Sequence, residues 1–228
     1  MMKIAIMQPA YIPWIGYFDL IQRVDTFVFL DDTQFEKQSW QQRNRIWHNG
    51  DYRYLTIPVI TKGNHFANIM DVEFDPTKKW SKKHLLTIEQ SYAQCSHTKE
   101  ILSVLESALC LECTKLVDIT IPIIQTISNR IGFNTKFVRS SELAVSGKRS
   151  QKLVNIINAL GGKYYLSPNG AKGYIDEDCL LPTSEICLEY QNYSLKDYPQ
   201  KIAGSFVPYL SIVDLVANVG FERAKQYI

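Results

Sequence analysis

The chain has 228 residues, 46% of them hydrophobic, enough for one large core or two small ones. Its 25 Lys and Arg against 23 Asp and Glu leave a formal net charge of +2 at pH 7, too small a surplus for a polyanion-binding protein, so nucleic acid is not an expected partner. No apolar run approaches the roughly 18 to 20 residues of a membrane span, and the first residues lack the pattern of a signal peptide, so a cytoplasmic chain with no membrane span is expected.

From the N-terminus, Ile4-Ala-Ile-Met7 is a short apolar run that reads as a buried strand. Phe18-Asp-Leu-Ile-Gln-Arg23 has its apolar residues on one face of a helix. Between them lies Gln8-Pro-Ala-Tyr-Ile-Pro-Trp-Ile-Gly-Tyr17, where two prolines stiffen the backbone and Gly16 permits a close approach. A tight crossing from a strand end to a helix start is where open α/β sheets bind ligands, because helix N–H groups favour anions there. Gln8, Tyr11, Trp14 and Tyr17 are large and rich in hydrogen-bonding or π surface, more than a change of direction needs. A plain reading makes the aromatics core caps.

Asp25-Thr-Phe-Val-Phe-Leu-Asp-Asp32 follows, with a continuous apolar run, Phe27 to Leu30, that ends in two acids. This is the pattern of a buried parallel strand emerging at the ligand edge of a sheet. Right-handed crossover then places Asp31 and Asp32 near the Gln8–Gly16 turn. Thr33 to Arg45 is dense in amides, cations and aromatics, among them Gln34, Lys37, Trp40, Arg43, Asn44 and Arg45, and reads as a binding loop rather than a solvated one.

Asn49-Gly50 predicts a hairpin between Arg45–His48 and Tyr52–Ile60, with Pro58 marking an edge or strand end. Lys62-Gly-Asn-His65 reads as a further turn, and Ala67–Phe74 as a third strand of a small antiparallel insertion. Helical spacing then covers Trp80–Tyr92, Thr98–Cys110 and Lys115–Ile131, the last closing at Gly132. Lys82, Lys83 and His84 on consecutive positions cannot all face one way and read as a solvated helix face, with one of them turned toward a ligand as the alternative.

A second α/β half begins at Thr135-Lys-Phe-Val-Arg139, a strand, and continues through a helix over Gln151–Leu160 and a strand over Lys163–Leu166. Ser167-Pro-Asn-Gly-Ala-Lys-Gly-Tyr174 combines glycines, hydroxyl, amide and Lys172 at a strand end, as a phosphate- or sugar-gripping loop does. Ile186–Tyr190 is a last strand, and Phe206–Asn218 enters a helix capped at Ser211 with Asp214 in its first turn. The five cysteines fit reduced thiols; Cys110-Leu-Glu-Cys113 lies in a helical pattern without a second pair, and the four histidines show no ligand spacing, so no metal site is assigned.

The expected architecture is one α/β domain over 1–228, with a Rossmann-like, mostly parallel sheet. It carries a small antiparallel insertion at 45–75, a helical segment at 78–132 and a second α/β half at 133–228.

Along nearly its whole length the chain resembles the WbqC-like protein family. The resemblance rests on Gln8-Pro-x-Tyr-x-Pro-Trp-x-Gly-Tyr-Phe18, Phe29-Leu-Asp-Asp-x-Gln-Phe-x-Lys37 and Trp40-x-x-Arg-Asn-Arg45. It continues in Lys83-His-Leu-x-Thr-Ile-Glu-Gln90, Tyr165-Leu-Ser167, Gly170-Ala-Lys172 and Leu210-Ser-Ile-Val-Asp214. Ser167-Pro-Asn-Gly170 stands where a second glycine is more usual. The resemblance implies a product of bacterial polysaccharide (O-antigen) gene clusters. By analogy with HUP-class nucleotidylyltransferases, Trp14-Ile-Gly-Tyr17 stands where those enzymes carry His-x-Gly-His, with neither histidine present. Ser146-Gly-Lys-Arg-Ser150 stands where they carry a Lys/Ser phosphate loop.

The expectation is therefore a transferase acting on a sugar nucleotide or activated acyl group, with acyl or aminoacyl transfer to an amino sugar as its concrete form and ATP or a sugar nucleotide with Mg²⁺ as cofactor. Asp31 or Asp32 serves as base or metal-holding carboxylate. Arg43, Arg45, Lys148 and Lys172 hold phosphates, Gln8 and Asn44 orient polar groups, and Tyr11, Trp14 and Tyr17 stack on a ring. Gly16, Gln34, Lys37, Trp40 and Ser167 complete the binding set. The alternatives are a non-catalytic sugar- or nucleotide-binding scaffold and an α/β domain whose residues play only structural parts.

Overall fold

A computed structural model of the chain describes residues 2–60, 67–75, 77–109, 113–181, 184–201 and 204–228. The expected turn at Lys62–His65, and Cys110 of the Cys-x-x-Cys pair, lie outside the described residues. In chain order the elements are β1 (Lys3–Met7), α1 (Ile15–Gln22), β2 (Thr26–Phe29), β3 (Arg43–His48) and β4 (Asp51–Thr56), followed by α2 (Trp80–Ser91), α3 (Thr98–Leu109) and α4 (Val117–Ile131). Then come β5 (Lys136–Arg139), α5 (Arg149–Ala159), β6 (Tyr164–Ser167), α6 (Lys172–Asp178), β7 (Cys187–Tyr190) and α7 (Ile212–Ala224). They form an α/β protein with a parallel five-stranded sheet and a separate antiparallel pair.

The chain divides into two units. The first comprises Met1–Gln8, Asp19–Thr33 and Asn134–Ser194. Its sheet has the order β5-β2-β1-β6-β7, every pair parallel. Taken in chain order the strands thus lie third-second-first-fourth-fifth, the doubly wound arrangement whose order reverses beside the first strand. Burial explains who sits where: Thr26–Phe29 is buried at every position and lies inside, whereas β5 and β7 are partly exposed and form the edges. Ile4, Ile6 and Val28 pack with Leu153, Ile156 and Ile157 of α5 and Ile175 of α6 in the core. The register aligns Met7, Phe29 and Arg139, so the residues that follow them leave the sheet at one carboxyl edge.

The second unit comprises Pro9–Phe18, Gln34–Phe133 and Leu195–Ile228. In it α3 packs on α2, α4 and α7, and α4 also packs on α7. The hairpin forms as expected, with Asn49 and Gly50 both at positive φ (51° and 85°), a turn that suits the strand twist. Along β3 the side chains alternate. Asn44, Ile46 and Leu55 point into the unit and are buried, while Arg43, Arg45, Tyr52 and Tyr54 stand on the open face.

Two expectations are corrected. Ala67–Phe74 is no third strand: Ile69–Asp71 makes a 3-10 turn flanked by isolated bridges, because the buried Ile69 and Val72 are spaced by three residues rather than two. Ser167–Tyr174 is no open loop: Asn169–Ala171 is a 3-10 turn that runs straight into α6, since Ala171 and Ile175, four apart, both bury. Gly132 ends α4 at φ 89° as expected, and Ser211 caps α7 by accepting from Val213 N at 3.2 Å.

Two consequences are measurable. His84 on α2 is buried, its Nδ1 3.0 Å from the Tyr11 hydroxyl, and burial lowers its pKa from 6.5 to about 4. The unfolded chain therefore binds this proton first, so stability is full above about pH 6.5 and falls as pH drops toward 4, by about 3 kcal/mol for this group. Thermal melts of His84→Gln are expected to lack that part of the acid slope; an unchanged slope refutes the assignment. In the second case the Trp14 indole lies flat on Gly16, where a Cβ would sit 2.2 Å from its Cη2. Gly16→Ala is expected to cost about 1 to 3 kcal/mol, and the penalty disappears when Trp14→Ala is added.

Candidate functional site

At the carboxyl edge of the first unit's sheet, the chain turns sharply after β2. Leu30 N still donates to Met7 O (2.9 Å), but Asp31 N folds back onto Phe29 O (3.0 Å), a three-residue turn that throws both acids sideways toward the end of β5. Asp31 is fully buried and ringed by donors, Arg139 Nε at 2.6 Å, Ser141 Oγ at 2.9 Å and Ser141 N at 3.1 Å, with Ser140 Oγ 3.2 Å away. Both of its oxygens are engaged. Its geometry is that of a staple joining β2 to the segment after β5.

Asp32 differs. Its side chain is 17% exposed; Oδ2 meets Lys152 Nζ at 2.6 Å and Oδ1 accepts from the Ser140 hydroxyl. The Lys152 side chain is itself only 11% exposed, and its Nζ also lies 3.4 Å from the Asp32 carbonyl. A sequestered carboxylate, an ammonium and a hydroxyl thus meet at the strand ends. Two charges this far out of water are sustained by each other and by the added hydrogen bonds.

The other predicted residues of this unit occupy the same edge by register. The Gln8 amide donates to Thr33 Oγ1 (3.2 Å), which in turn lies 3.3 Å from Leu30 O, so Gln8 is pinned to the β2 turn. Ser167 ends β6, the neighbour of β1 across the point where strand order reverses; it is buried, with its hydroxyl on Pro168 O (3.2 Å). Lys148, at the N-cap of α5, is exposed. Lys172 is also exposed, its ammonium 5.4 Å from the centre of the Tyr190 ring.

At the start of α5, where the analogy places a phosphate, the protein supplies its own anion. Ser150 N donates to Asp178 Oδ2 (3.2 Å), and Arg149 pairs with Asp178 (3.1 Å) and Glu177 (2.5 Å). Hydrogen bonding from Ser150 and the Arg149 charge hold the Asp178 carboxyl below its ordinary pKa.

The remaining predicted residues belong to the second unit. Tyr11 and Tyr17 are fully buried, and burial raises both hydroxyl pKa values, so neither ring presents a face for stacking. Asn44 is buried too: its amide donates to Tyr11 O (3.2 Å) and its oxygen accepts from Arg45 N (2.9 Å), a structural clamp on the aromatic turn. Gly16 lies beneath the half-buried Trp14, whose ring centre is 5.5 Å from that of Tyr209. Gln34 bridges to Asn68, and Lys37 is exposed. Trp40, Arg43 and Arg45 line the open face of the hairpin, Arg43 above Tyr54 (4.8 Å) and Arg45 above Tyr52 (4.4 Å).

Lys152, Ser140, Ser141 and Arg139 are absent from the sequence prediction. One signal was available: Lys152 lies on the side of α5 that carries Ile156, four residues on, and a lysine on the apolar side of an amphipathic helix needs a buried partner. The serines carry no comparable signal. Among the described residues no group of three or more His, Cys, Asp or Glu side chains is placed to hold a metal ion, and no helix is long and apolar enough to cross a membrane.

The model of the WbqC-like protein family matches residues 8–226. The uncharacterized protein Rv1507c of Mycobacterium tuberculosis (strain ATCC 25618 / H37Rv) is 34% identical over 231 residues, which cover 100% of this chain and 98% of that relative. No solved structure matches the chain. The match runs through the aromatic turn, the paired acids, the hairpin and the final helix, and the chain belongs to the WbqC-like protein family.

Proposed function

We propose that this chain is a transferase whose chemistry takes place at the carboxyl edge of the parallel sheet. The observation that carries the reading is the Asp32–Lys152 pair with the Ser140 hydroxyl, held at the carboxyl edge of the sheet where β2 and β5 end. Ligands of open α/β sheets bind outside the carboxyl ends of the strands, and the pair is held there largely out of water.

In this reading Asp32 accepts the proton of an acceptor amine or hydroxyl as its lone pair attacks the activated carbon. Once Asp32 is neutral, the Lys152 ammonium loses its counter-charge and becomes available to the anion of the leaving group. Asp31, saturated by Arg139 and Ser141, fixes the turn that presents Asp32 and acts as a positioning residue. Gln8 and Ser167 lie at the ends of β1 and β6 on the same edge, and the exposed Lys148 and Lys172 supply the cations that an anionic donor needs. The carboxylates do not fit a resident Mg²⁺, since each is already committed to a protein cation.

The substrate class is a sugar nucleotide or an activated acyl group, in acyl or aminoacyl transfer to an amino sugar for surface polysaccharide. The sequence resemblance implies this context, and an anionic donor suits the lysines. One observation favours a second reading, a scaffold that binds without turnover: the open hairpin face presents aromatic and guanidinium groups suited to binding.

A thermal-shift screen with ATP, nucleoside-diphosphate sugars and acyl-CoAs, each with and without Mg²⁺, names the donor. A ligand at about a hundred times its Kd adds ~2.7 kcal/mol and raises the melting temperature visibly. With that donor, Asp32→Asn and Lys152→Met are expected to lose about 10²-fold or more in turnover while keeping the ligand-induced shift. Asp31→Asn instead lowers stability by about 2 to 3 kcal/mol, because it unpairs Arg139. Full turnover in Asp32→Asn removes the carboxylate from the mechanism, and a screen without hits turns the assignment toward the scaffold.

A further inference from the structure

The open face of the β3–β4 hairpin gathers aromatic and guanidinium groups. Trp40 stacks on Tyr54 (6.3 Å between ring centres), Arg43 lies over Tyr54, Arg45 lies over Tyr52, and Trp47 meets Tyr52 edge-on (5.4 Å). Trp40, Tyr52 and Tyr54 are 52%, 40% and 45% exposed, large values for side chains of this size. Among the described residues neither guanidinium has an ion-pair partner. Arg45 Nε donates to Tyr209 O (3.2 Å), which orients the guanidinium and leaves its terminal N–H groups outward.

Three physical points narrow the occupant. A guanidinium resting on a ring is preorganised, and its N–H edge stays open for a carboxylate or phosphate in bidentate contact. Two arginines at alternate positions of one strand stand about 6.6 Å apart, the spacing at which an extended chain repeats side chains on one side. A two-stranded sheet is open rather than concave, so it does not enclose a small molecule, but Trp, Tyr and Arg without Asp or Glu make up the centres of protein interfaces. A nucleic acid strand would need a longer run of cations than the two arginines of this face.

We propose that this face docks an acidic segment of a partner protein in extended conformation, its alternate carboxylates seated on Arg43 and Arg45 and its intervening backbone lying across Tyr52, Tyr54 and Trp40. The inference concerns the second unit alone and holds whether or not Asp32 is catalytic, so the two readings fail separately.

The test is fluorescence anisotropy of the full chain with labelled ten-residue peptides in which glutamate alternates with threonine. A control peptide of the same composition has its glutamates in adjacent pairs, which an extended chain points to opposite sides. The alternating peptide is expected to bind about tenfold or more tightly than the control, and affinity falls as salt rises. Arg43→Ala/Arg45→Ala is expected to weaken it at least tenfold. Arg43→Lys/Arg45→Lys, which keeps the charge and cannot misfold for want of it, is expected to weaken binding several-fold through loss of the fork and the stack. The proposal is overturned if the wild type does not bind the alternating peptide, if it does not distinguish the two peptides, if both double variants bind like the wild type, or if oligothymidylate binds more tightly than either peptide.

Discussion

The first unit depends on one hydroxyl. Ser140 Oγ accepts from Asp31 N, donates to Asp32, and lies within hydrogen-bond distance of the Asp31 carboxylate, so it holds two neighbouring acids apart at the end of a buried strand. Adjacent carboxylates repel, and burial multiplies that repulsion. The fold resolves the conflict by giving each its own cation from a different element: Arg139 at the end of β5 for Asp31, and Lys152 of α5 for Asp32. These pairings fix where β5 ends and α5 begins relative to β2, and they leave the two acids unequal. One is saturated and the other retains lone pairs and a little solvent.

The second unit uses a different economy. Its aromatic turn, rich in groups able to bind ligands, is mostly consumed by its own packing: Tyr11 against His84, Asn44 across the Tyr11 carbonyl, and Ser211 Oγ on Ile12 O at 2.7 Å. Ile212 N donates to Pro13 O (2.8 Å), so the start of α7 is tied to the same turn. The hairpin divides its side chains by strand alternation. The face carrying Ile46 and Leu55 becomes core, and the polar aromatic face remains outside. Arginine on tyrosine is an arrangement that survives exposure because the attraction does not require desolvation.

Several features of the chain are local and were open to reading without coordinates. Asn49-Gly50 specifies its hairpin because both residues tolerate positive φ. The apolar runs of β1 and β2 specify buried parallel strands, and the helices over 80–131 follow from their spacing. The segments 67–74 and 167–174 differ from expectation, a strand and a loop, because the burial of Ile69 with Val72 and of Ala171 with Ile175 is decided by tertiary packing. At the site, Asp31 and Asp32 were visible as strand-end acids, but their different states depend on Arg139, Ser140 and Lys152, more than a hundred residues away.

By itself, then, the sequence determined the family, the α/β class, the hairpin and the neighbourhood of the ligand edge, all properties of contiguous motifs and periodicity. Tertiary structure alone decided which candidate residues face outward and which are spent on the fold. Tyr11, Tyr17 and Asn44 were withdrawn by burial, Asp31 by saturation and the start of α5 by Asp178, while Lys152 was brought in. The physical reason is that burial and hydrogen-bond satisfaction depend on which distant segments close over a group, and spacing along one segment carries no record of them.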